Sequence, residues 1–182
     1  MISMHSAQIQ ILPDMVRGFY HRLPDRPQRQ RVAATVQDAM VACYTAAIMT
    51  ACDGSLHPRA RAGIQLFNEG RYFDAHEELE AAWREEKGKI RELYQGILEA
   101  AVTYLHIMRG NYAGAIKVHG RSMRWLQDWP ENCRGVDIGR LRQDLDTAIA
   151  EVRALGSTGL GTFNRALLKP VVWQDGPRPF LE

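Results

Sequence analysis

Two ionisable side chains, His76 and Glu80, lie one helical turn apart in a segment whose apolar residues recur at helical spacing. At about 100° per residue, Glu80 lies about 40° from His76 around the helix. The same face carries three large apolar side chains, those of Tyr72, Leu79 and Trp83. Because burying a carboxylate or an imidazolium without partners costs several kcal/mol, the two groups need each other, a third polar group, a metal ion or an open cavity.

A second polar row is expected on the next helix. Gln95, Glu99 and His106 fall within about 60° of one another there, while most of the remaining surface of that helix is apolar. This row is either the solvent strip of a mostly buried helix or faces His76 and Glu80, because helices joined by a short connection are usually antiparallel neighbours. We predict the second arrangement, a polar cluster of the two histidines with Glu80 and Gln95, and Glu99 as a further binding residue.

Three interpretations of this cluster remain open. It is a structural hydrogen-bond network that fixes how two helices pack, a divalent-metal site, or a metal-free ligand pocket with hydrolytic potential. For a metal, His76 and Glu80 have the i, i+4 spacing of two ligands on one helix, and His106 or Glu99 supplies a third. For hydrolysis, His76 acts as general base beside Glu80, and Glu77 takes that role if a metal is bound.

The sequence departs from the catalytic motifs that this spacing suggests. His-Glu-x-x-Glu lacks the second imidazole of the zinc-protease motif His-Glu-x-x-His, and the chain has no Glu-x-x-His pair of the kind that di-iron bundles use. No Ser or Cys stands in a recognisable nucleophile setting. We therefore predict a non-enzymatic binding or interaction protein, with a metal- or ligand-binding protein centred on His76, Glu80 and His106 as the alternative.

The periodic segments predict an all-α fold. Ala, Leu, Glu, Arg and Met dominate them, and no Asn-Gly or Asp-Gly turn stands between alternating apolar runs. We expect a compact multihelical bundle built on two antiparallel helix hairpins, because Gly70 and Gly110 each stop one helix two residues before a Tyr that begins the next. The predicted helices cover residues 30–51, 58–70, 72–86, 90–109, 112–129 and 139–155.

The 182-residue chain is expected to hold one helical domain between two different ends. Residues 1–29 are a basic N-terminal arm, residues 30–156 the helical domain, and residues 157–182 an extended C-terminal tail. The formal net charge of +2 is too small to favour a nucleic-acid partner. A protein partner or a second copy of the chain is the expected partner.

The fifth helix carries basic residues that we interpret as a solvated face: Lys117, Arg121 and Arg124.

We expect a cytoplasmic protein without a membrane span or a secretory leader. The longest apolar candidate, residues 32–51, is interrupted by polar residues such as Asp38. Cys43, Cys52 and Cys133 are an odd number of cysteines without a C-x-x-C spacing. We therefore expect all three cysteines to be reduced.

The central segment resembles a known family. The motif Leu-Phe-Asn-x-Gly-x-Tyr-Phe-x-Ala-His-Glu-x-x-Glu-x-x-Trp that ends at Trp83, Tyr-Gln-Gly-Ile from Tyr94, and Gly-Asn-x-x-Gly-Ala from Gly110 are similar to domain of unknown function 309 (DUF309). The similarity covers about residues 62–126. It implies a multihelical domain of prokaryotic or plastid type and no established activity. Glu99 stands where the family tends to carry an uncharged residue.

Overall fold

A computed structural model of the 182-residue chain describes residues 26–174. In this range the chain forms six α-helices, one two-stranded hairpin and two short 3-10 helices, which confirms the predicted all-α fold. The α-helices are α1 (Arg26–Ala51), α2 (Pro58–Asn68), α3 (Tyr72–Glu85), α4 (Arg91–Met108), α5 (Tyr112–Leu126) and α6 (Ile138–Gly159). The strands are β1 (Asn132–Cys133) and β2 (Val136–Asp137), and the 3-10 helices are Leu160–Thr162 and Arg165–Leu167.

The chain consists of two compact units, and the boundary between them lies between Ala46 and Ala47, inside α1. The unit that follows this boundary contains α2 to α6 and the hydrophobic core. Residues 1–25 of the predicted N-terminal arm and residues 175–182 of the predicted tail lie outside the described residues, so the predicted domain boundaries stay a prediction. Within residues 26–174, no helix is both long and apolar enough to cross a membrane.

Helices α2 and α4 end in the same way. Gly70 and Gly110 have positive φ values of 76° and 69°, a left-handed conformation that glycine adopts without steric cost. Each glycine N–H donates to a carbonyl of the helix that it closes, and the N–H of the next residue donates to a carbonyl further back. The predicted pair of equivalent helix stops is confirmed, and α3 and α5 begin immediately after them.

Helix α4 lies at the centre of the core. Eleven of its 18 residues are buried, because it packs against both α3 and α5. The rings of Phe67, Tyr72 and Tyr104 meet at centroid distances of 5.3 to 5.5 Å and join α2, α3 and α4. The apolar surface predicted for α4 is therefore used for packing.

A short β-hairpin between α5 and α6 adds to the predicted helices. Cys133 of β1 pairs with Val136 of β2, and α5 ends at Leu126, before the predicted residue 129. The turn residues Arg134 and Gly135 both have positive φ, 48° and 84°, as a two-residue hairpin turn requires. The sequence conceals this turn because a residue such as Arg is uncommon at positive φ.

The predicted state of the cysteines is wrong for two of the three. Cys52, just after α1, and Cys133, in β1, form a disulfide between residues 81 apart in sequence, with Cα atoms 4.7 Å apart. Cys43 is the exposed free cysteine. Neither the odd count nor the missing C-x-x-C spacing excludes such a bond, because the fold brings together cysteines that no local motif connects.

Removing the disulfide should lower stability without unfolding the domain. Opening a loop of this length costs roughly 2–4 kcal/mol of unfolding free energy in the chain-entropy view. Arg134 still holds the junction, since its Nε donates to the Ala51 carbonyl at 2.8 Å. Urea denaturation of Cys52→Ser, followed by circular dichroism, measures the loss. The control, Cys43→Ser, changes an exposed residue and should shift stability by less than about 0.5 kcal/mol. Equal stabilities of the two variants would contradict this account.

Candidate functional site

Glu99 is a carboxylate buried between α4 and α5, and only 5% of it is exposed. Its Oε1 accepts a hydrogen bond from Gln95 Nε2 at 2.9 Å, and its Oε2 accepts one from Arg121 Nε, also at 2.9 Å. The Arg121 side chain projects from α5 and remains 44% exposed, so the ion pair has one buried and one solvated partner. The two contacts provide the partners that a buried carboxylate requires.

Helices α4 and α5 approach closely next to this ion pair. A Cβ added at Gly96 would lie 2.5 Å from Cδ2 and 2.8 Å from Cγ of the buried Leu126, so no side chain fits there. Ser122 Oγ donates to the Gly96 carbonyl at 2.8 Å. Since Ser122 and Arg121 are neighbours on α5, the contact at Gly96 also sets where the Arg121 guanidinium meets Glu99.

His106 is half-buried at the end of α4 and is oriented by the first turn of α5. Its Nδ1 lies 3.0 Å from Asn111 Nδ2. Asn111 Oδ1 accepts a hydrogen bond from Gly114 N at 2.8 Å and caps α5, so the amide NH2 faces the ring. Nδ1 of neutral His106 is therefore the acceptor, and the ring proton is on Nε2.

The surroundings of His106 disfavour its charged form. Partial burial lowers the pKa of His106, and the positive charges of Arg109 and Arg121 lower it further. Protonation of Nδ1 would also remove the acceptor that Asn111 uses. His106 is therefore mainly neutral near pH 7, and a metal ion would have to displace either Asn111 from Nδ1 or the proton from Nε2.

His76 and Glu80 lie on α3, each with partners from its own helix. The ring of His76 is half-buried and lies 6.5 Å from the ring of Phe73. Glu80 Oε1 accepts a hydrogen bond from Arg84 Nη2 at 2.8 Å, an i, i+4 pair on the surface of α3. In the described part of the chain, no hydrogen bond joins His76 or Glu80 to α4. The predicted polar cluster is thus divided between two helices.

A cation–π contact joins α3 and α4 near their connection. The guanidinium carbon of Arg91 lies 4.6 Å from the centre of the Trp83 ring. Trp83 follows Glu80 by three residues and shares its side of α3, and Gln95 follows Arg91 by four residues and shares its side of α4. The contact joins the last turn of α3 to the first turn of α4 and includes none of the residues of the predicted polar cluster.

The described residues form no cluster of metal ligands. Glu77, the candidate base, is exposed. Among residues 26–174, no group of three or more His, Cys, Asp or Glu side chains is placed to hold a metal ion. Divalent-metal binding by His76, Glu80 and His106 therefore stays a sequence-based prediction.

Arg121 is the site residue that the sequence analysis missed. From the sequence, Arg121 was expected on a solvated helix face, but in the structure its Nε pairs with the buried Glu99. A helical wheel locates Cα atoms, and a long arginine side chain reaches well beyond its own position. The signal that identifies Arg121 is Glu99 itself, because a carboxylate on a largely buried helix needs a cation from a neighbouring helix. We refer to Gln95, Glu99, His106 and Arg121 as the polar strip.

The fold and the polar strip together define the class of protein. The described chain is an all-α domain of consecutive helical hairpins. The buried carboxylate of its polar strip accepts one hydrogen bond from within α4 and one from α5. Residues 60–118, which extend from α2 into α5, match the family described as Domain of unknown function (DUF309). This match confirms the resemblance that the sequence shows for this segment.

Two curated relatives align with about half of this chain. An uncharacterised protein of Aquifex aeolicus (strain VF5) is 29% identical over 84 residues, which are 46% of this chain and 25% of the relative. The uncharacterised protein YpuF of Bacillus subtilis (strain 168) is 33% identical over 89 residues, which are 47% of this chain and 51% of the relative. The chain thus matches a quarter of one relative and about half of the other, and the family match leaves α1 outside.

The ion pair predicts an asymmetric response to mutation. Arg121→Ala should lower the free energy of unfolding by about 1–3 kcal/mol, because the charge of Glu99 stays buried with one donor left. Adding Glu99→Gln to this variant should recover part of the loss, since no buried charge then remains. Urea denaturation measures both effects. Arg124→Ala removes an exposed arginine from the same helix and serves as the control; if it costs as much as Arg121→Ala, the ion pair is not what stabilises the contact.

The surroundings of His106 predict its titration and a pH dependence of stability. NMR titration of the ring protons should give a midpoint below 6.5, and Arg121→Gln should raise it, because one of the lowering charges is removed. Because the unfolded chain binds this proton more readily, the contribution to stability should be lost as the pH falls through 6.5 towards the lower folded value. A midpoint at or above 6.5 that Arg121→Gln leaves unchanged would contradict this assignment.

Proposed function

We propose that this chain is a non-enzymatic interaction protein that pairs with a second copy of itself through α1. The observation that carries this proposal is the exposure of large apolar side chains on that helix. Met40 is 36% exposed, and Cys43, on the same side of α1, is exposed as well. Because monomeric proteins rarely expose large contiguous apolar patches, such a helix is typical of an interaction surface.

The sequence of α1 favours an identical helix as the partner. Residues 32–51 contain a single charged residue, Asp38, so a strongly charged partner would find little to bind. Val36, Met40 and Cys43 follow the four- and three-residue spacing of a coiled-coil seam. A second copy presents the same seam with the same spacing, which is what a two-fold symmetric interface requires.

The length of α1 supports the same partner. Its 26 residues correspond to roughly 39 Å of helix, which is nearly four heptads. The seam of Val36, Met40 and Cys43 lies in the middle of this helix, so two copies can pack along the turns on either side of it. Alanines and threonines make up much of the rest of the helix, so two copies can approach closely.

The polar strip supports the non-enzymatic part of the proposal. Both oxygens of the Glu99 carboxylate accept hydrogen bonds from the protein itself, and Nδ1 of His106 accepts one from Asn111. A general base needs a lone pair aimed at a substrate proton. The arrangement of these groups is the one expected of a network that fixes helix packing.

A cytoplasmic location belongs to the proposal as well. It is supported by the finding that no helix within residues 26–174 can cross a membrane. The Cys52–Cys133 disulfide argues against a cytoplasmic location, because such bonds are rare in reducing compartments. Alkylation of thiols during cell lysis, followed by mass spectrometry, distinguishes the two. In a reducing cytoplasm the bond between Cys52 and Cys133 would be open, so the proposal predicts that most Cys52 is alkylated in freshly lysed cells and that the disulfide forms after lysis. A fully oxidised pair in freshly lysed cells would contradict a cytoplasmic location.

Light scattering coupled to gel filtration tests the pairing of α1. The wild-type chain should elute with about twice its mass of 20.6 kDa, and Met40→Glu should elute as a monomer, because a carboxylate in the seam would be buried without a partner. Val41→Glu is the matched control, since it places the same charge about 100° away from Met40 on α1. Circular dichroism verifies that both variants keep their helices.

A covalent test uses the exposed Cys43. In a parallel pair, the two Cys43 side chains lie at the same height, so mild oxidation should produce a disulfide-linked dimer. Cys43→Ser should remove that species and leave the noncovalent dimer intact. A monomeric wild-type chain, or monomers from Met40→Glu and Val41→Glu alike, would contradict pairing through this seam.

A further inference from the structure

Two links of different kinds join the end of α1 to the β-hairpin. The first is the disulfide between Cys52 and Cys133. The second is the side chain of Arg134, the residue after Cys133. Its Nε donates to the Ala51 carbonyl at 2.8 Å, and its Nη1 donates to the Ser55 carbonyl at 2.9 Å. Because these two carbonyls lie on either side of Cys52 in the chain, the hydrogen bonds connect the same segments as the disulfide does.

The same junction is attached to α4 through Tyr94, a fully buried residue. The Tyr94 hydroxyl accepts a hydrogen bond from His57 N at 3.0 Å and one from Arg134 Nη1 at 3.4 Å. Only 16% of the Arg134 side chain is exposed, so water competes little for these hydrogen bonds. The connection between α1 and α2 is therefore held near both of its ends by contacts that remain when the disulfide is open.

The two cysteines differ in their access to solvent. Cys133 is 2% exposed, whereas Cys52 is partly exposed. A dissolved thiol or peroxide therefore reaches the pair from the side of Cys52. The Cα atoms of the two residues are 4.7 Å apart, so Cys133 is in place to react with a group attached to the Cys52 sulfur.

We propose that Cys52 and Cys133 form a redox site, which a hydroperoxide closes and a dithiol opens while the domain stays folded. Disulfides of cytoplasmic proteins are usually transient, and they are catalytic or redox-sensing. This role rests on the cytoplasmic location proposed above and does not depend on the pairing through α1. Its effect is to add or remove a covalent tie at the connection between α1 and α2.

The closing reaction begins at Cys52. Its thiolate attacks an oxygen of the hydroperoxide, the O–O bond breaks, and the thiolate becomes a sulfenic acid while an alcohol or water leaves after taking up a proton. The Cys133 thiolate then attacks the sulfur of that sulfenic acid. The S–S bond forms, and hydroxide leaves and takes up a proton to become water. The two thiols thus lose two electrons, and the peroxide gains them.

The opening reaction begins at the same residue, because access decides which sulfur is attacked. One thiolate of a dithiol attacks the Cys52 sulfur, and Cys133 leaves as a thiolate and takes up a proton. The second thiol of the reductant then displaces Cys52 from the mixed disulfide. The reductant becomes a disulfide, and the protein gains two electrons and two protons.

Arg134 is the positioning residue of this site. In the open form its hydrogen bonds to the Ala51 and Ser55 carbonyls keep the segment around Cys52 beside Cys133. Holding two reacting groups together accelerates their reaction, because the cost of bringing them together is already met by the fold. Arg134 should therefore speed the attack of Cys133 on the sulfenic acid of Cys52.

Repeated opening and closing of the purified full chain tests the proposal. Cys43→Ser leaves the pair as the remaining cysteines. Dithiothreitol opens the pair and is removed, hydrogen peroxide closes it, and alkylation followed by mass spectrometry measures the closed fraction. The pair should reopen and reclose in each cycle, with the same helix content by circular dichroism in both forms. The opening rate should rise in proportion to the dithiothreitol concentration, because no unfolding precedes the attack.

Two results of this experiment would overturn the proposal. One is an opening rate that is independent of the dithiothreitol concentration, which would mean that the domain must unfold first. The other is an open chain that loses its helices or does not reclose with peroxide. Alkylation in freshly lysed cells tests the location separately, so a wrong location and the failure of the redox site give different results.

Two further variants of the Cys43→Ser chain identify the thiol that meets the peroxide. Dimedone traps sulfenic acids, so it labels the cysteine that the peroxide oxidises. Cys133→Ser should be labelled at Cys52 roughly tenfold or more faster than Cys52→Ser is labelled at Cys133, because Cys133 is buried. Equal labelling rates would overturn Cys52 as the site of attack.

Arg134→Gln tests the positioning role through the competition between dimedone and Cys133. Slower attack by Cys133 should raise the fraction of Cys52 that dimedone traps by roughly tenfold. Arg124→Gln changes an exposed arginine of α5 and should leave that fraction unchanged. The same trapped fraction in both variants would overturn the role of Arg134, and circular dichroism verifies that both variants stay folded.

Discussion

Helices α4 and α5 meet at Gly96 with no space for a side chain. A Cβ at this position would lie 2.5 Å from the buried Leu126, and Ser122 donates a hydrogen bond to the Gly96 carbonyl. This close contact fixes the position of α5 along the axis of α4, next to the most buried part of α4. The ion pair of Glu99 and Arg121 lies one turn away from Gly96, so its geometry depends on the same contact.

The polar strip follows from that constraint. A carboxylate on a helix with eleven buried residues is tolerable only if a cation reaches it. The position of α5 along α4 brings Arg121 within hydrogen-bond distance of Glu99. At the other end of the hairpin, the cap of α5 is also the residue that orients His106. One packing contact and one helix cap therefore position Arg121 and His106, while the apolar surface of α1 serves the proposed pairing.

The sequence predicts those features that depend on local interactions. Gly70 and Gly110 mark helix ends because positive φ favours glycine, and helical spacing alone locates Gln95, Glu99 and His106 on one side of α4. The sequence does not predict features that join distant segments. The partner of Cys52 is 81 residues away, and the role of Arg121 depends on the reach of a side chain across to another helix. Likewise, helical spacing does not reveal that His76 and Glu80 take partners on their own helix.

The most direct test of this account compares the unfolding free energies of Gly96→Ala and Gly120→Ala. An added Cβ at Gly120, also inside a helix of this hairpin, meets nothing within 4 Å. Alanine should therefore stabilise the chain there by about 0.5–1 kcal/mol, and Gly96→Ala should destabilise it by about 1–3 kcal/mol, because Leu126 must move. If Gly96→Ala stabilises the chain as much as Gly120→Ala does, the helices do not meet at Gly96 and the polar strip is not set by that contact.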